Sequence, residues 1–256
     1  MQQINGFVAL LDVLGFSNLV TGPSSSHHLQ QYLDAIQEAI DEKSGITGIN
    51  FILFSDSIVI STKDDSDISL RTLLRTCSRA LGLLLEQNIA LRGAIAHGRY
   101  FREATGSGMF IAGRPIVDAY NLEKEQDWVG ISIHGSVLRS MPNLSGLCQM
   151  TVPPEAGYEP RLPWMMLLQR NEKIPFHGHS HGLDGFAVVP TVSGPNVGEQ
   201  WEYLGTCLTA LNYMKSLAPN PSAQQKYVAT AKWLDGVRMS WKNLTTHRLP
   251  TRVVYF

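Results

Sequence analysis

Residues 49–62 read INFILF, then Ser55-Asp56, then SIVIST. Two short apolar runs rich in Ile, Val and Phe, separated by two turn-forming residues, predict a tight antiparallel hairpin. A lone hairpin is marginal in water, so this one needs sheet partners and a helical cover. Both are present in the flanking sequence. Residues 7–12, FVALLD, are short, apolar and ended by a charge, the pattern of a buried strand. LGFSNLVTGPSSS follows, and its Gly, Pro and Ser predict a loop. HHLQQYLDAIQEAIDEKSG then places Leu29, Leu33, Ile36 and Ile40 at helical spacing, with Gly45 as a stop. Beyond the hairpin, DISLRTLLRTCSRALGLLLEQN puts Leu70, Leu73, Leu74, Cys77, Leu81 and Leu84 on one face of an amphipathic helix. ALRGAIAHG reads as a strand. The order is strand, helix, hairpin, helix, strand: a ferredoxin-like β-α-β-β-α-β unit of the α+β class.

The chain continues with FREATGSG as a loop and MFIAG as a short strand. RPIVDAYNLEKEQ is then a helix with Pro115 in its first turn, and WVGISI a further strand. Residues 141–198 hold eight of the thirteen prolines and read as irregular, with short strands near WMMLL and DGFAVVP. Residues 199–217 and 222–245 read as two helices. A soft boundary near residue 145 divides a core, 1–145, from a C-terminal extension, 146–256. At 256 residues the chain buries a core without a disulfide or metal staple. With 21 basic and 22 acidic side chains it carries a net charge of −1, which argues against a strongly basic nucleic-acid binder. Charged residues make up 17%, below the roughly 25% of an average domain, as expected where surface is covered in a homo-oligomer. Cys77, Cys148 and Cys207 lie far apart with no finger spacing, which predicts a reduced, cytoplasmic protein. FVALLDVLGF is short, contains Asp12 and follows no basic segment, so it reads as neither signal peptide nor membrane span.

The predicted topology has a chemical consequence. In a ferredoxin-like sheet the first strand lies antiparallel to the third, so the end of FVALLD meets the start of SIVIST. Asp12 and Asp56 come together there. Taken singly, Asp12 fits a strand-end or capping aspartate and Asp56 a turn residue. Taken as a pair, two carboxylates at one sheet edge repel each other unless a divalent cation sits between them. VLGFS follows Asp12 directly, and its glycine-containing turn offers free backbone N–H groups to phosphate oxygens.

These residues resemble the class III nucleotidyl cyclases. Asp12-Val13-Leu14-Gly15-Phe16 matches the D-[IV]-x-G-F of the first strand. Ser55-Asp56-Ser57 stands where that family has its hairpin aspartate, usually after Gly. Leu91-Arg92-Gly93-Ala94-Ile95-Ala96-His97-Gly98 is close to its R-x-G strand, with Gly one position earlier. GRPIVDAYNLE and GISI match the glycine, helix and strand that follow. The resemblance covers roughly residues 5–140. It implies that Asp12 and Asp56 ligate two divalent ions, Mg²⁺ or Mn²⁺, with the Val13 carbonyl as a third protein ligand. It implies further that the backbone of Leu14, Gly15 and Phe16 holds the β- and γ-phosphates. The ribose 3′-hydroxyl would attack the α-phosphorus and pyrophosphate would leave. Members work as head-to-tail dimers with shared sites, so a homodimer is expected.

The sequence departs from purine cyclases where those read their base. Ile52 stands four residues before the hairpin aspartate, and Met109-Phe110-Ile111 precede the next helix, all apolar. A purine edge there would leave buried polar groups unpaired, at about 1–3 kcal/mol each. In the helix after Gly113, Asp118 stands in place of Asn and no Arg follows at the usual turn. Arg92, Arg99, Arg102 and Arg114 are the other sources of positive charge. The F-S-D-S hairpin, the L-R-G strand and the I-V-D-A-Y-x-L-E helix look like the bacterial pyrimidine cyclases of Pycsar antiphage defence. That likeness implies conversion of UTP to cyclic UMP, or of CTP to cyclic CMP, for a separate effector, with Arg92 and Tyr120 near the nucleotide. A cyclase-fold sensor without turnover is the alternative. His177, His179 and His181 share a face on an extended strand but have no completing ligand, and read as a solvent loop. Lys226, Lys232, Arg238 and Lys242, with Trp233 and Trp241, read as an amphipathic helix docked on the core.

Overall fold

A computed structural model describes residues 2–21, 25–40, 48–106, 108–141, 167–169, 186–190 and 197–246. Strand β1 (Gln2–Leu14) is followed by helices α1 (Phe16–Thr21) and α2 (Ser25–Ile40). The hairpin β2 (Ile49–Phe54) and β3 (Ser57–Thr62) leads into α3 (Asp67–Glu86) and β4 (Ala90–Thr105). Then come β5 (Gly108–Gly113), α4 (Arg114–Glu125), β6 (Gly130–Ile133), α5 (Gly135–Ser140), β7 (Leu167–Gln169), β8 (Phe186–Val188), α6 (Val197–Leu217) and α7 (Pro221–Thr246). The sheet runs β2-β3-β1-β4-β6-β8-β7, and β5 pairs with the outer part of β4. Its first four strands, in the order β2-β3-β1-β4 with β1 antiparallel to both neighbours, are the predicted ferredoxin-like unit.

Alternation along β1 decides which layer each residue serves. Phe7, Ala9, Leu11 and Val13 point into the main core against α2 and α3. Val8 and Leu10 point to the other face, where Ala94, Ala96, Ala119 and Leu122 pack. The alanines on β4 and α4 leave room for the helix to lie close on the sheet. In α2 the buried stripe is Tyr32, Ala35, Ile36 and Ala39, whereas Leu33 is 37% exposed. The helix therefore turns a face one residue away from the one its leucines suggested.

Two segments read as loops are regular. Phe16–Thr21 is the helix α1, opened by Gly15 at φ 74°. The density of Gly, Pro and Ser around it masks so short a helix. FREATGSG is not a loop but the end of β4 and its turn into β5: Arg99–Arg102 pair with Gln2–Asn5 of β1, and Tyr100–Thr105 with β5. No apolar run marks the outer end of β4, where Phe101 and Glu103 face solvent. β1 also extends beyond FVALLD at both ends, which places Asp12 inside the strand rather than at its close.

The start of α3 is held by a compact carboxylate. Asp64 accepts from Ser66 N (3.1 Å), from Ser66 Oγ (2.6 Å) and from the Ser69 hydroxyl, while Ser66 N-caps the helix. The Ser66 and Ser69 hydroxyls, then the Ser66 amide, hold this carboxyl below its usual 3.8. A depressed acid contributes stability above its unfolded value and loses it as pH falls through its folded value. Asp64→Ala is expected to cost about 1 kcal/mol at pH 7 by loss of these bonds. The difference from the parent should shrink as urea titrations are moved below pH 3.8.

The later residues share the sheet and core of the earlier ones. β8 pairs with β6, and Ser78 Oγ donates to the Val189 carbonyl (2.5 Å). α7 docks as expected: Trp233 meets Trp128 edge to face at 5.2 Å, and Thr230 Oγ1 accepts from Val129 N at 2.8 Å. The Arg238 guanidinium stacks 3.8 Å above the ring of Trp201 on α6. Cys77 and Cys207 are buried and free, and burial raises both thiols above their ordinary range, which disfavours the nucleophilic thiolate. Cys148 and the histidines 177, 179 and 181 lie outside the described residues. Among the described residues no helix is long and apolar enough to cross a membrane.

Candidate functional site

Register brings the two aspartates together. Asp12 pairs with Ser57 of β3 on one side and with Arg92 of β4 on the other. Asp56 is the residue just before Ser57, and its carbonyl accepts from Val13 N at 3.0 Å. The backbone of Val13 is thereby tied to the hairpin turn. The Asp12 side chain is 30% exposed. Burial, and after it the charge of Asp56, push the Asp12 carboxyl above 3.8, while Arg92 and Lys124 pull it down. The net rise means that burial and the neighbouring aspartate outweigh both cations. The turn presenting Asp56 is itself under strain. Ser55 occupies φ 57°, a left-handed conformation that costs a residue with a Cβ roughly 1–2 kcal/mol. Of the two turn residues only Ser55 has positive φ, a conformation in which Gly is preferred.

The turn after β1 is the second component. Gly15 at φ 74° reverses the chain, and its carbonyl accepts from Asn18 N at 2.9 Å. Phe16 opens α1 and meets the ring of Tyr32 edge to face at 5.7 Å. Tyr32 is 1% exposed, and its hydroxyl has no hydrogen-bond partner among the described residues. Burial, then the charges of Asp56 and Asp12, raise its pKa. Sequence reading passed over Tyr32; its only signal was an aromatic beside an aliphatic helical stripe. Leu14 and Gly15 also border a cleft of about 810 Å³ shared with Asn88 and with Tyr213 and Lys226 of the α6–α7 elbow. Neither aspartate lines it.

Arg92 stands beside Asp12. It is held in a buried network: its guanidinium contacts Glu123 directly and lies 3.7 Å from Asp12. Gln126 donates to the Gly93 carbonyl at 2.6 Å and accepts from Ser132 Oγ at 3.0 Å, which pins the end of α4 to β4 and β6. Burial raises the Glu123 carboxyl, with Arg92 opposing. Glu123 and Gln126 were missed, because in sequence they belong to the charged tail of a helix. The other arginines are elsewhere. Arg99 and Arg102 pair with Asn5 and Gln2, seven and ten residues along from the Asp12 register. At about 3.3 Å per residue that is more than 20 Å away. Arg114 is bound to Asp118 at 2.7 Å. Within one chain, none of these three reaches the aspartates. Tyr120 lies on the solvent side of α4, 48% exposed, with the Lys124 ammonium 5.2 Å from its ring centre. Met109 and Phe110 are also exposed, and Ile52 is half-buried on β2.

Among the described residues no group of three or more His, Cys, Asp or Glu side chains is placed to hold a metal. The aspartate pair supplies two oxygen donors of the kind hard divalent cations take.

No protein-family profile and no curated protein matches the chain. Solved structures do. The adenylyl cyclase CyaB from P. aeruginosa is 16% identical, with 76% of this chain and 98% of that one covered at a TM-score of 0.48. A bacterial light-regulated adenylyl cyclase is 13% identical, covering 84% of this chain and all of that one at 0.43. The guanylate cyclase domain of RhGC from Catenaria anguillulae, solved in complex with GTP, is 13% identical over 75% of this chain at 0.42.

Proposed function

We propose that this chain is a metal-dependent nucleotidyl cyclase that converts UTP to 3′,5′-cyclic UMP and pyrophosphate, the product acting on a separate effector in bacterial antiphage defence. The observation that carries the reading is the juxtaposition of Asp12 and Asp56 beside the Leu14–Phe16 turn. Two acids with interacting charges, one raised by burial and by the other, form a site that a divalent cation would relieve. Asp12, Asp56 and the Val13 carbonyl would hold Mn²⁺ or Mg²⁺. Bound there, such ions would lower the pKa of the ribose 3′-hydroxyl and neutralise phosphate charge. Backbone N–H groups of Leu14, Gly15 and Phe16 orient the β- and γ-phosphates, and the turn at Gly15 sets their direction. Arg92 adds positive charge beside Asp12. The 3′-oxygen attacks the α-phosphorus as the bond to pyrophosphate breaks. Met109, Phe110 and Ile111 register with Ala104, Glu103 and Arg102, too far along β4 to reach the aspartates of their own chain. In this reading they meet the base from the partner subunit, where their apolar side chains, with that of Ile52, support a pyrimidine over a purine. CTP is the other pyrimidine substrate. Met109, Phe110, Val117 and Tyr120 expose apolar surface on β5 and α4, which supports a homodimer closing the site and bringing Tyr120 toward the nucleotide. A catalytic core over 1–145, an extension over 146–256 and a cytoplasmic location belong to the same reading.

A second reading, a nucleotide sensor without turnover, is favoured by one observation. Of the four arginines considered, Arg92 alone stands beside the pair, and Glu123 already binds it. Incubating the purified protein with each of the four nucleoside triphosphates and Mn²⁺, with products identified by mass, separates the two. Cyclic UMP and pyrophosphate are the expected products. Binding without product establishes the sensor, and a cyclic purine overturns the base assignment.

A further inference from the structure

Arg92 lies between two carboxylates. Asp12 and Arg92 are direct cross-strand partners, so both side chains leave the same face of the sheet. α4 lies over that face and brings Glu123 against the guanidinium. The same terminal nitrogen of Arg92 contacts Glu123 directly and stands 3.7 Å from Oδ2 of Asp12. Its other terminal nitrogen donates to the Gln126 carbonyl at 3.4 Å, and its Nε–H has no acceptor among the described residues. The guanidinium thus has unused donor capacity and a second carboxylate close by. A full charge-assisted bond would draw it to about 2.8 Å from Asp12 and place a cation on the oxygen a divalent ion needs. Glu123 is 3% exposed and its helix end is pinned by Gln126, so it is a fixed competitor for that charge.

We propose that Glu123 is a positioning residue for the cation site: it holds Arg92 on the α4 side and leaves Asp12 open as a divalent-cation ligand. The inference rests on the reading of Asp12 and Asp56 as cation ligands. It is tested by titrating Mn²⁺ alone into the full chain and following the free-ion signal by electron paramagnetic resonance, with no nucleotide present. Glu123→Gln keeps the shape and removes the charge, and is expected to weaken Mn²⁺ binding by about tenfold. Arg92→Gln/Glu123→Gln removes both charges, a replacement that buried pairs commonly tolerate, and should return the affinity to within about twofold of the parent. Glu123→Asp keeps the charge at shorter reach and gives an intermediate loss, a result still available if the neutral variant does not fold. A residue serving only to stabilise the fold would show no rescue in the double variant. Parental Mn²⁺ affinity in Glu123→Gln, or a double variant as weak as the single one, overturns the proposal and leaves the cation site standing. A parent protein that binds no Mn²⁺ removes the cation site and this inference together.

Discussion

Asp12→Ala and Asp56→Ala are each expected to lower Mn²⁺-dependent cyclase turnover by about 10³-fold or more while leaving the protein folded. A factor of 10³ is about 4 kcal/mol of barrier, the scale of removing a ligand that fixes a catalytic cation. Stability should move the other way for Asp12. Its carboxyl sits above 3.8, chiefly through burial and then through Asp56. A raised acid favours the fold fully below its unfolded value and loses that favour as pH rises through the folded value. At pH 7 the metal-free protein therefore carries a destabilising charge, and Asp12→Asn should melt at a higher temperature than the parent. That gain should close as the pH approaches 3.8. Adding Mn²⁺ should reverse the ranking. At a hundredfold excess over Kd the ion stabilises the parent by about 2.7 kcal/mol and the variants by much less. Thermal unfolding with and without Mn²⁺ reads all of this without substrate. Variants that retain parental turnover would show that the pair is not the site.

Much of this arrangement was legible in the amino-acid sequence, for reasons that differ by residue. The hairpin was, because two β-rich runs around Ser55-Asp56 permit few other structures. The pairing of Asp12 with the start of β3 followed from topology, since one strand order puts those ends side by side. α1 was hidden by the loop-forming residues around it. The outer half of β4 was hidden because its solvent-facing residues carry no hydrophobic signature. Glu123 and Gln126 were invisible for a deeper reason. A Glu in RPIVDAYNLEKEQ is indistinguishable from its solvated neighbours until the sheet beneath supplies Arg92 and Gly93. Buried polar networks are joined across elements, and local pattern carries only one side of each bond. Tyr32 belongs to the same class: the stripe of Leu29, Leu33, Ile36 and Ile40 leaves it out, and only the packed structure buries it and brings its hydroxyl under the influence of two acids.

Gly93→Ala should be among the most damaging single changes in the core, at about 3 kcal/mol or more. Gly93 sits on β4 opposite Leu11 and beside Ile131 of β6. An added Cβ would lie 2.5 Å from the Leu10 carbonyl oxygen, 2.6 Å from Leu11 Cδ2 and 2.9 Å from Leu11 Cα. A leucine methyl can rotate away, but the Leu10 carbonyl and the Leu11 Cα belong to the backbone of β1. The two central strands would have to separate along a ladder that pairs every residue from Gln2 to Leu14. The same displacement would carry Asp12 away from Arg92, and the Gln126 bond to the Gly93 carbonyl would move with it. Gly106, at the turn between β4 and β5, is the control: nothing lies within 4 Å of a Cβ built there. Gly106→Ala should stay within about 0.5 kcal/mol of the parent, as surface changes usually do. Guanidinium unfolding of the two variants measures the contrast. Equal stabilities would mean that β1 and β4 do not approach as closely as the register requires, and the placement of Asp12 beside Arg92 would fall with it.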